Sequence, residues 1–200
     1  FSAVRTVAGI DVGYDPRRNL SRAALVILRD GELVSSAIAY LPTPFPYVPG
    51  LLSFREVPVV LEALACIREI PDMLFVDGQG IAHPRRLGIA AHLGVLTGLP
   101  AIGIAKKRLC GTYEDPGSSK GARSDLLHNG EKMGTVLRSK DKVKPLFVSP
   151  GHRVSHDTAV SLVEQYLTQY RLPEPTRLAD ILSKVKTEEV TATGQTRSLF

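Results

Sequence analysis

The chain has 200 residues, enough for one domain with a sizeable buried core. Its 25 Lys and Arg outnumber 20 Asp and Glu, the net charge is +5 at pH 7, and the pI is about 9.3, which suits a polyanionic partner. Two cysteines exclude a disulfide framework, no Cys/His cluster has zinc spacing, and no apolar run is long enough for a membrane span. Cys66 and Cys110 read as reduced thiols of a cytoplasmic protein. The start, Phe1-Ser2-Ala3-Val4-Arg5, is no signal peptide, and a first residue other than Met suggests a missing N-terminal piece.

In chain order, 6–12 is an apolar, β-prone run ending at Asp11, and 22–28 is a second. Asp30-Gly31 signals a hairpin into a third strand over 32–41, which makes an antiparallel meander. Residues 42–49 hold four prolines with Phe45 and Tyr47, a stiff segment without regular structure. Apolar spacing predicts a helix over 51–69, kinked at Pro58 or starting near it. A buried strand follows at 73–76, then a helix over 85–97 and a strand at 101–105. Polar, Gly-rich 114–129 reads as a loop. Short strands are expected at 132–138 and 145–148, helices over 154–170 and from 175 to 186. The expectation is one α/β domain over 1–186, a mixed sheet flanked by helices, with a disordered tail over 187–200.

The densest stretch is Asp77-Gly78-Gln79-Gly80-Ile81-Ala82-His83-Pro84-Arg85-Arg86. A carboxylate at a strand end points to the mouth of an α/β sheet, and the glycines let backbone approach a ligand. Acid, imidazole and paired cations suggest a metal and phosphate site; a helix cap with a turn behind it reads equally well. Asp11 also ends a strand, and in a sheet of this order the first and fourth strands are parallel neighbours. Asp11 and Asp77 would then stand side by side, with Glu56 on or before the first helix as a third acid. Adjacent carboxylates repel, and Mg²⁺ or Mn²⁺ relieves this. Taken singly, each acid also reads as a surface cap or salt bridge.

The chain resembles the endonuclease V family, inosine-directed nucleases of ribonuclease H-like fold. The resemblance rests on Gly9-Ile10-Asp11-Val12, on Phe45-Pro46-Tyr47-Val48-Pro49-Gly50-Leu51-Leu52-Ser53-Phe54-Arg55-Glu56, and on the Asp77 stretch continued through Leu87-Gly88-Ile89-Ala90. Gly103-Ile104-Ala105-Lys106-Lys107-Arg108-Leu109, Val148-Ser149-Pro150-Gly151-His152 and Pro173-Glu174-Pro175-Thr176-Arg177-Leu178-Ala179 follow in the family's order. It implies that Asp11 and Asp77 hold Mg²⁺, for which Mn²⁺ substitutes, with Glu56 completing the set directly or through water. His152 would stand near the metal as a second-site ligand or proton carrier, and Lys106 would neutralise the scissile phosphate. Tyr47 would be a wedge driven into the helix at the lesion. Pro49, Gly50, Leu52, Gly78, His83 and Gly88 would line the pocket of a flipped hypoxanthine. The implied reaction nicks DNA at the second phosphodiester 3′ to deoxyinosine, leaving 3′-hydroxyl and 5′-phosphate ends. Inosine-containing RNA is the alternative substrate, and a monomer without membrane contact is expected.

From the residues alone, other readings stay open. Tyr47 could be a packing aromatic, His83 a structural histidine, His152 a helix cap, and 106–108 a solvated charge run. A non-catalytic binder of the same fold would have lost a metal carboxylate, yet Asp11, Glu56 and Asp77 are all present. Three departures from the family pattern are Gly13 after Asp11-Val12, which is expected to loosen the backbone beside the metal ligand, the lack of an N-terminal helical segment, and the tail from Thr187.

Overall fold

The computed structural model describes residues 4–185 and 197–198. Strands β1 (Thr6–Asp15), β2 (Leu20–Arg29) and β3 (Glu32–Pro42) form the expected meander. Then come α1 (Leu52–Ala65), β4 (Met73–Val76), α2 (Ile89–Thr97) and β5 (Ala101–Ala105). The second half holds β6 (Arg123–His128), β7 (Glu131–Leu137), β8 (Leu146–His152), α3 (His156–Gln165), α4 (Glu174–Lys184) and β9 (Arg197–Ser198). The sheet order is β6-β7-β8-β5-β4-β1-β2-β3-β9. β4 runs parallel to β1 and to β5, as expected, and the other pairs are antiparallel. This is the mixed α/β sheet of the ribonuclease H-like class.

Side-chain alternation builds two cores. Ala8, Ile10, Leu74 and Val76 face one side and pack with Val57, Val60 and Ala63 of α1 and Ala90 and Leu93 of α2. Val7, Met73, Phe75 and Ile104 face the other, against Ala159, Val160 and Val163 of α3 and Leu172. α4 completes that second face, with Ala179 buried against Val26 and Leu28. Gly9 allows it: a Cβ there would lie 2.0 Å from the Pro175 carbonyl oxygen, so the start of α4 rests directly on β1.

The elements differ from expectation where local chemistry overrides periodicity. α1 begins at Leu52, upstream of Pro58, which lies inside it. α2 starts at Ile89 rather than at 85, because Arg86 takes a left-handed φ of 58° and Gly88 folds back on the preceding turn. The Gly88 N–H donates to the Gly80 carbonyl at 2.9 Å, and a Cβ on Gly88 would lie 2.3 Å from the Gln79 oxygen. The expected loop over 114–129 contains β6, whose polar alternation hides it: Leu126 is its one buried side chain. α3 starts where the Ser155 hydroxyl caps the Thr158 N–H at 3.1 Å. Of the expected tail, Arg197 and Ser198 pair with β3, and the rest lies outside the described residues. Among the described residues, no helix is long and apolar enough to cross a membrane.

Candidate active site

The parallel strands set up the site. Ile10 pairs with Val76, and the Asp77 N–H donates to the Ile10 carbonyl at 2.9 Å, so Asp11 and Asp77 stand side by side; β4 ends there, whereas β1 does not end at Asp11 as expected but runs on to Asp15, paired with β2. Both continue the alternation of Val7–Gly9 and Met73–Phe75, which faces α3 and α4. Asp180 of α4 meets them there: carboxylate oxygens of Asp11, Asp77 and Asp180 all lie within 4.8 Å of one another. Glu56 approaches from α1, on the other side of the sheet, and lies outside that tight group while still feeling its charge.

Burial and like charge strain these acids. Glu56 is pushed up to about 8, first by burial, then by Asp11, with Arg55 opposing and Asp77 adding. Asp77 is pushed up to about 6 by burial, against the pull of Lys106 and with Asp11 adding. Asp180 goes the other way: burial opposes, but Lys106 and Lys184 hold it below the usual carboxylate range. The Lys106 ammonium lies 2.8 Å from Asp180 Oδ1 and also pairs with Asp77 Oδ2. Burial works to lower Lys106, yet these two carboxylates carry it above its ordinary value. Lys106 thus gains from two partners, whereas Asp77 sets one ammonium against burial and a second acid. The Ser183 hydroxyl, one turn after Asp180, donates to Asp11 Oδ2.

The backbone under Lys106 is clamped from two sides. Gln79 Nε2 donates to the Lys107 carbonyl at 2.9 Å, tying the turn after β4 to that after β5. Arg171 Nη2 donates to the Lys106 carbonyl at 2.9 Å, and the same guanidinium reaches the carbonyls of Lys144 and Pro145.

Beside the cluster, 78–88 forms a tight turn. His83 is buried, and its Nδ1 accepts from the Arg85 N–H at 3.1 Å, leaving the proton on Nε2. Burial keeps this imidazole neutral, against a hydrogen bond with the Gly50 backbone. Arg85 Nη1 also donates to the Gly50 carbonyl, so Gly50, with φ of 77°, and His83 do come together. Gly78 packs on Ile89, whose Cγ2 would lie 2.5 Å from a Cβ there, and Gly88 packs on Gln79; both are spent on closing the turn. Pro49 and Leu52 are exposed at its rim, and Tyr47 projects 65 % exposed from the proline-rich segment. Arg86 shapes the turn through its backbone, its N–H donating to the His83 carbonyl at 2.9 Å, while its side chain pairs with Glu131.

His152 is not part of this site. β8 runs antiparallel to β5, and His152 pairs with Ala101, while Phe147 pairs with Ala105 beside Lys106. The imidazole therefore starts from the opposite end of the sheet, where its Cβ would lie 2.2 Å from a Cβ on Gly94 of α2. The expected place near the metal fails because the strand extends past Pro150 instead of ending at 148. Gly13 causes no distortion: it pairs regularly with Arg22, without a positive φ.

The endonuclease V family model matches residues 1–181. The chain belongs to the endonuclease V family. It is 56% identical over 185 residues to an endonuclease V of Azotobacter vinelandii, covering 92% of this chain and 84% of that one. The endonuclease V structure from Streptomyces avermitilis superposes with a TM-score of 0.86 at 47% identity, covering 90% of this chain and 80% of that chain. An endonuclease V of Ciona intestinalis, solved with a 24mer DNA containing an inosine followed by a ribo-adenosine, gives 0.79 at 29% identity and covers 92% and 86%. Membership makes the chain a nuclease.

Asp180 is the acid that reading the sequence missed. The motif ending in Leu178-Ala179 stops one residue before it. The available signal was strand parity: Asp11 and Asp77 share parity with residues facing the C-terminal helices, which made those helices a place to look for a further acid. Three carboxylates supply the hard oxygen donors that Mg²⁺ or Mn²⁺ prefers, and the Lys106 ammonium seated between two of them shows that a cation fits.

Proposed function

We propose that this chain nicks DNA at deoxyinosine, hydrolysing the second phosphodiester on the 3′ side and leaving 3′-hydroxyl and 5′-phosphate ends. The observation that carries this is the convergence of Asp11, Asp77 and Asp180 beside Lys106, in an endonuclease V chain. Asp11, Asp77 and Asp180 would hold Mg²⁺, with Mn²⁺ able to substitute, and Glu56 would close the set from the α1 side. When bound, the cation would acidify a water and offset charge on the leaving oxygen. Lys106 would bind the scissile phosphate as a point charge. Ser183 keeps Asp11 turned toward its neighbours, and the clamp of Gln79 and Arg171 fixes the base of Lys106.

Recognition would fall to the adjoining turn. Hypoxanthine pairs poorly, so extruding it costs less than extruding a normal base. Tyr47 would fill the gap, returning about 1–3 kcal/mol by stacking, with prolines on both sides keeping it from retracting. Gly50 and His83 would meet the flipped base with backbone groups and a neutral imidazole; Pro49 and Leu52 form the rim, and Gly78 and Gly88 shape the turn. Because the tight turn that carries His83 starts directly after Asp77, cleavage would fall at a fixed offset from the base.

The test uses end-labelled duplexes with inosine or adenine at one position, in Mg²⁺ or EDTA. A single Mg²⁺-dependent nick at the second 3′ phosphodiester of the inosine strand is expected. Equal cutting of both duplexes would overturn the specificity. A second reading, cleavage of inosine-containing RNA, draws support from the ribo-adenosine after inosine in the Ciona complex. It predicts faster cutting when the residues 3′ to inosine are ribonucleotides.

A further inference from the structure

Lys106 holds the oxygens that a divalent cation at this cluster would need. Its ammonium engages Asp77 Oδ2 and Asp180 Oδ1, while Lys184 takes Asp180 Oδ2 and Ser183 takes Asp11 Oδ2. Asp180 therefore has both oxygens engaged by ammonium groups, and Asp77 has one. A divalent cation and an ammonium cannot share these lone pairs at contact distance without strong repulsion.

We propose that Lys106 and the divalent cation exchange places: the ammonium neutralises Asp77 and Asp180 until a cation takes those oxygens, and only then turns to the phosphate. This rests on the reading that the cluster is a metal site. The fold separates what moves from what stays. The Lys106 carbonyl is bonded by Arg171 and the next one by Gln79, so the backbone is tied on both sides. The side chain is about one-third exposed on a flexible four-carbon stem, so its head can swing while its base is held. The two carboxylates are far less exposed, at 13% and 17%, and stay in place. One residue thereby serves both as internal counter-ion and as phosphate ligand, and phosphate capture follows cation capture. This order keeps the ammonium from being spent on nucleic acid before the cation is in place.

The exchange is read without DNA, as Mn²⁺ affinity by calorimetry or electron paramagnetic resonance on the full chain. Lys106→Met removes the competitor and should tighten Mn²⁺ binding by about ten-fold. Lys106→Gln keeps a donor for the aspartates without the charge, should tighten likewise, and carries the test if the Met variant does not fold. Lys106→Arg retains the charge and should bind no tighter than wild type. Unchanged or weaker Mn²⁺ binding in the neutral variants, with wild-type binding abolished by Asp77→Ala, would overturn the exchange and leave the metal site standing. Wild-type protein whose Mn²⁺ binding is insensitive to Asp77→Ala would overturn both.

Discussion

Strand β4 is flanked by two aspartates held in opposite ways. Before it, Asp72 Oδ2 accepts from the Arg5 N–H, the Thr6 N–H and the Thr6 hydroxyl at 3.0, 2.9 and 2.8 Å. Burial opposes its charge, but these donors outweigh that and hold Asp72 below the usual carboxylate range. After the strand, Asp77 is pushed up by burial, with Asp11 and Asp180 close by. One carboxylate is satisfied by the fold and ties β1 to β4. The other is held against its own preference, as a ligand to something else would be. Charge alone does not separate a structural acid from a functional one; its hydrogen-bond partners do.

The largest effect should come from Asp77→Asn. Losing even an outer partner of a metal ligand costs about 10–100-fold, so loss of the proposed ligand should cost at least about 100-fold in Mg²⁺-dependent nicking. Because the charge on Asp77 is disfavoured by burial, the thermal midpoint in EDTA should stay at or above that of wild type. A large drop in that midpoint would mean that Asp77 is structural after all. Next comes Gly9→Ala. Its Cβ would stand 2.0 Å from the Pro175 carbonyl oxygen and lift α4, with Asp180 and Ser183, off β1. Denaturant unfolding should report a loss of about 3 kcal/mol, the upper range for overpacking. Nicking should fall with it; a variant that loses neither would separate α4 from the site.

Asp72→Ala should leave nicking intact and cost about 1 kcal/mol at neutral pH, since the lost bonds are near solvent. A depressed carboxylate contributes stability above its unfolded value of 3.8, and loses it as pH falls through the lower folded value. The gap between wild type and Asp72→Ala should therefore close below about pH 4; a gap that widens there would contradict the assignment. The smallest effect is Gly13→Ala. Its Cβ would meet Ser183 O at 3.8 Å and Arg22 Nη2 at 3.9 Å, ordinary contacts in a regular strand. It should stabilise by about 0.5 kcal/mol through the unfolded chain, as urea unfolding would measure.

The same contrast explains what was legible in the sequence. The buried stretches before Asp11 and Asp77 were readable because each is a continuous apolar run closed by a polar residue; the continuation of β1 to Asp15 was not, because beyond Ile10 the strand is only partly buried. The meander was readable from Asp30-Gly31. Asp180 was not, because it lies on an amphipathic helix where an aspartate followed by Lys184 looks like a solvated i,i+4 pair, which it also is. His152 misled for the opposite reason: its motif matched, but the direction and length of β8 decide which end of the sheet it reaches, and neither is written locally. β6 was invisible since an edge strand buries little, and Arg85 acquired its contact with Gly50 only through the left-handed turn at Arg86.

Asp11 in β1 and Asp77 at the C-terminal end of β4, completed by Asp180 of α4, would form one metal site, while Asp72 at the other end of β4 is structural. Titrating Mn²⁺ into wild type, Asp180→Ala and Asp72→Ala tests it directly. Binding should be at least about ten-fold weaker in Asp180→Ala and as in wild type in Asp72→Ala. Wild-type affinity in Asp180→Ala, or a comparable loss in Asp72→Ala, would contradict it.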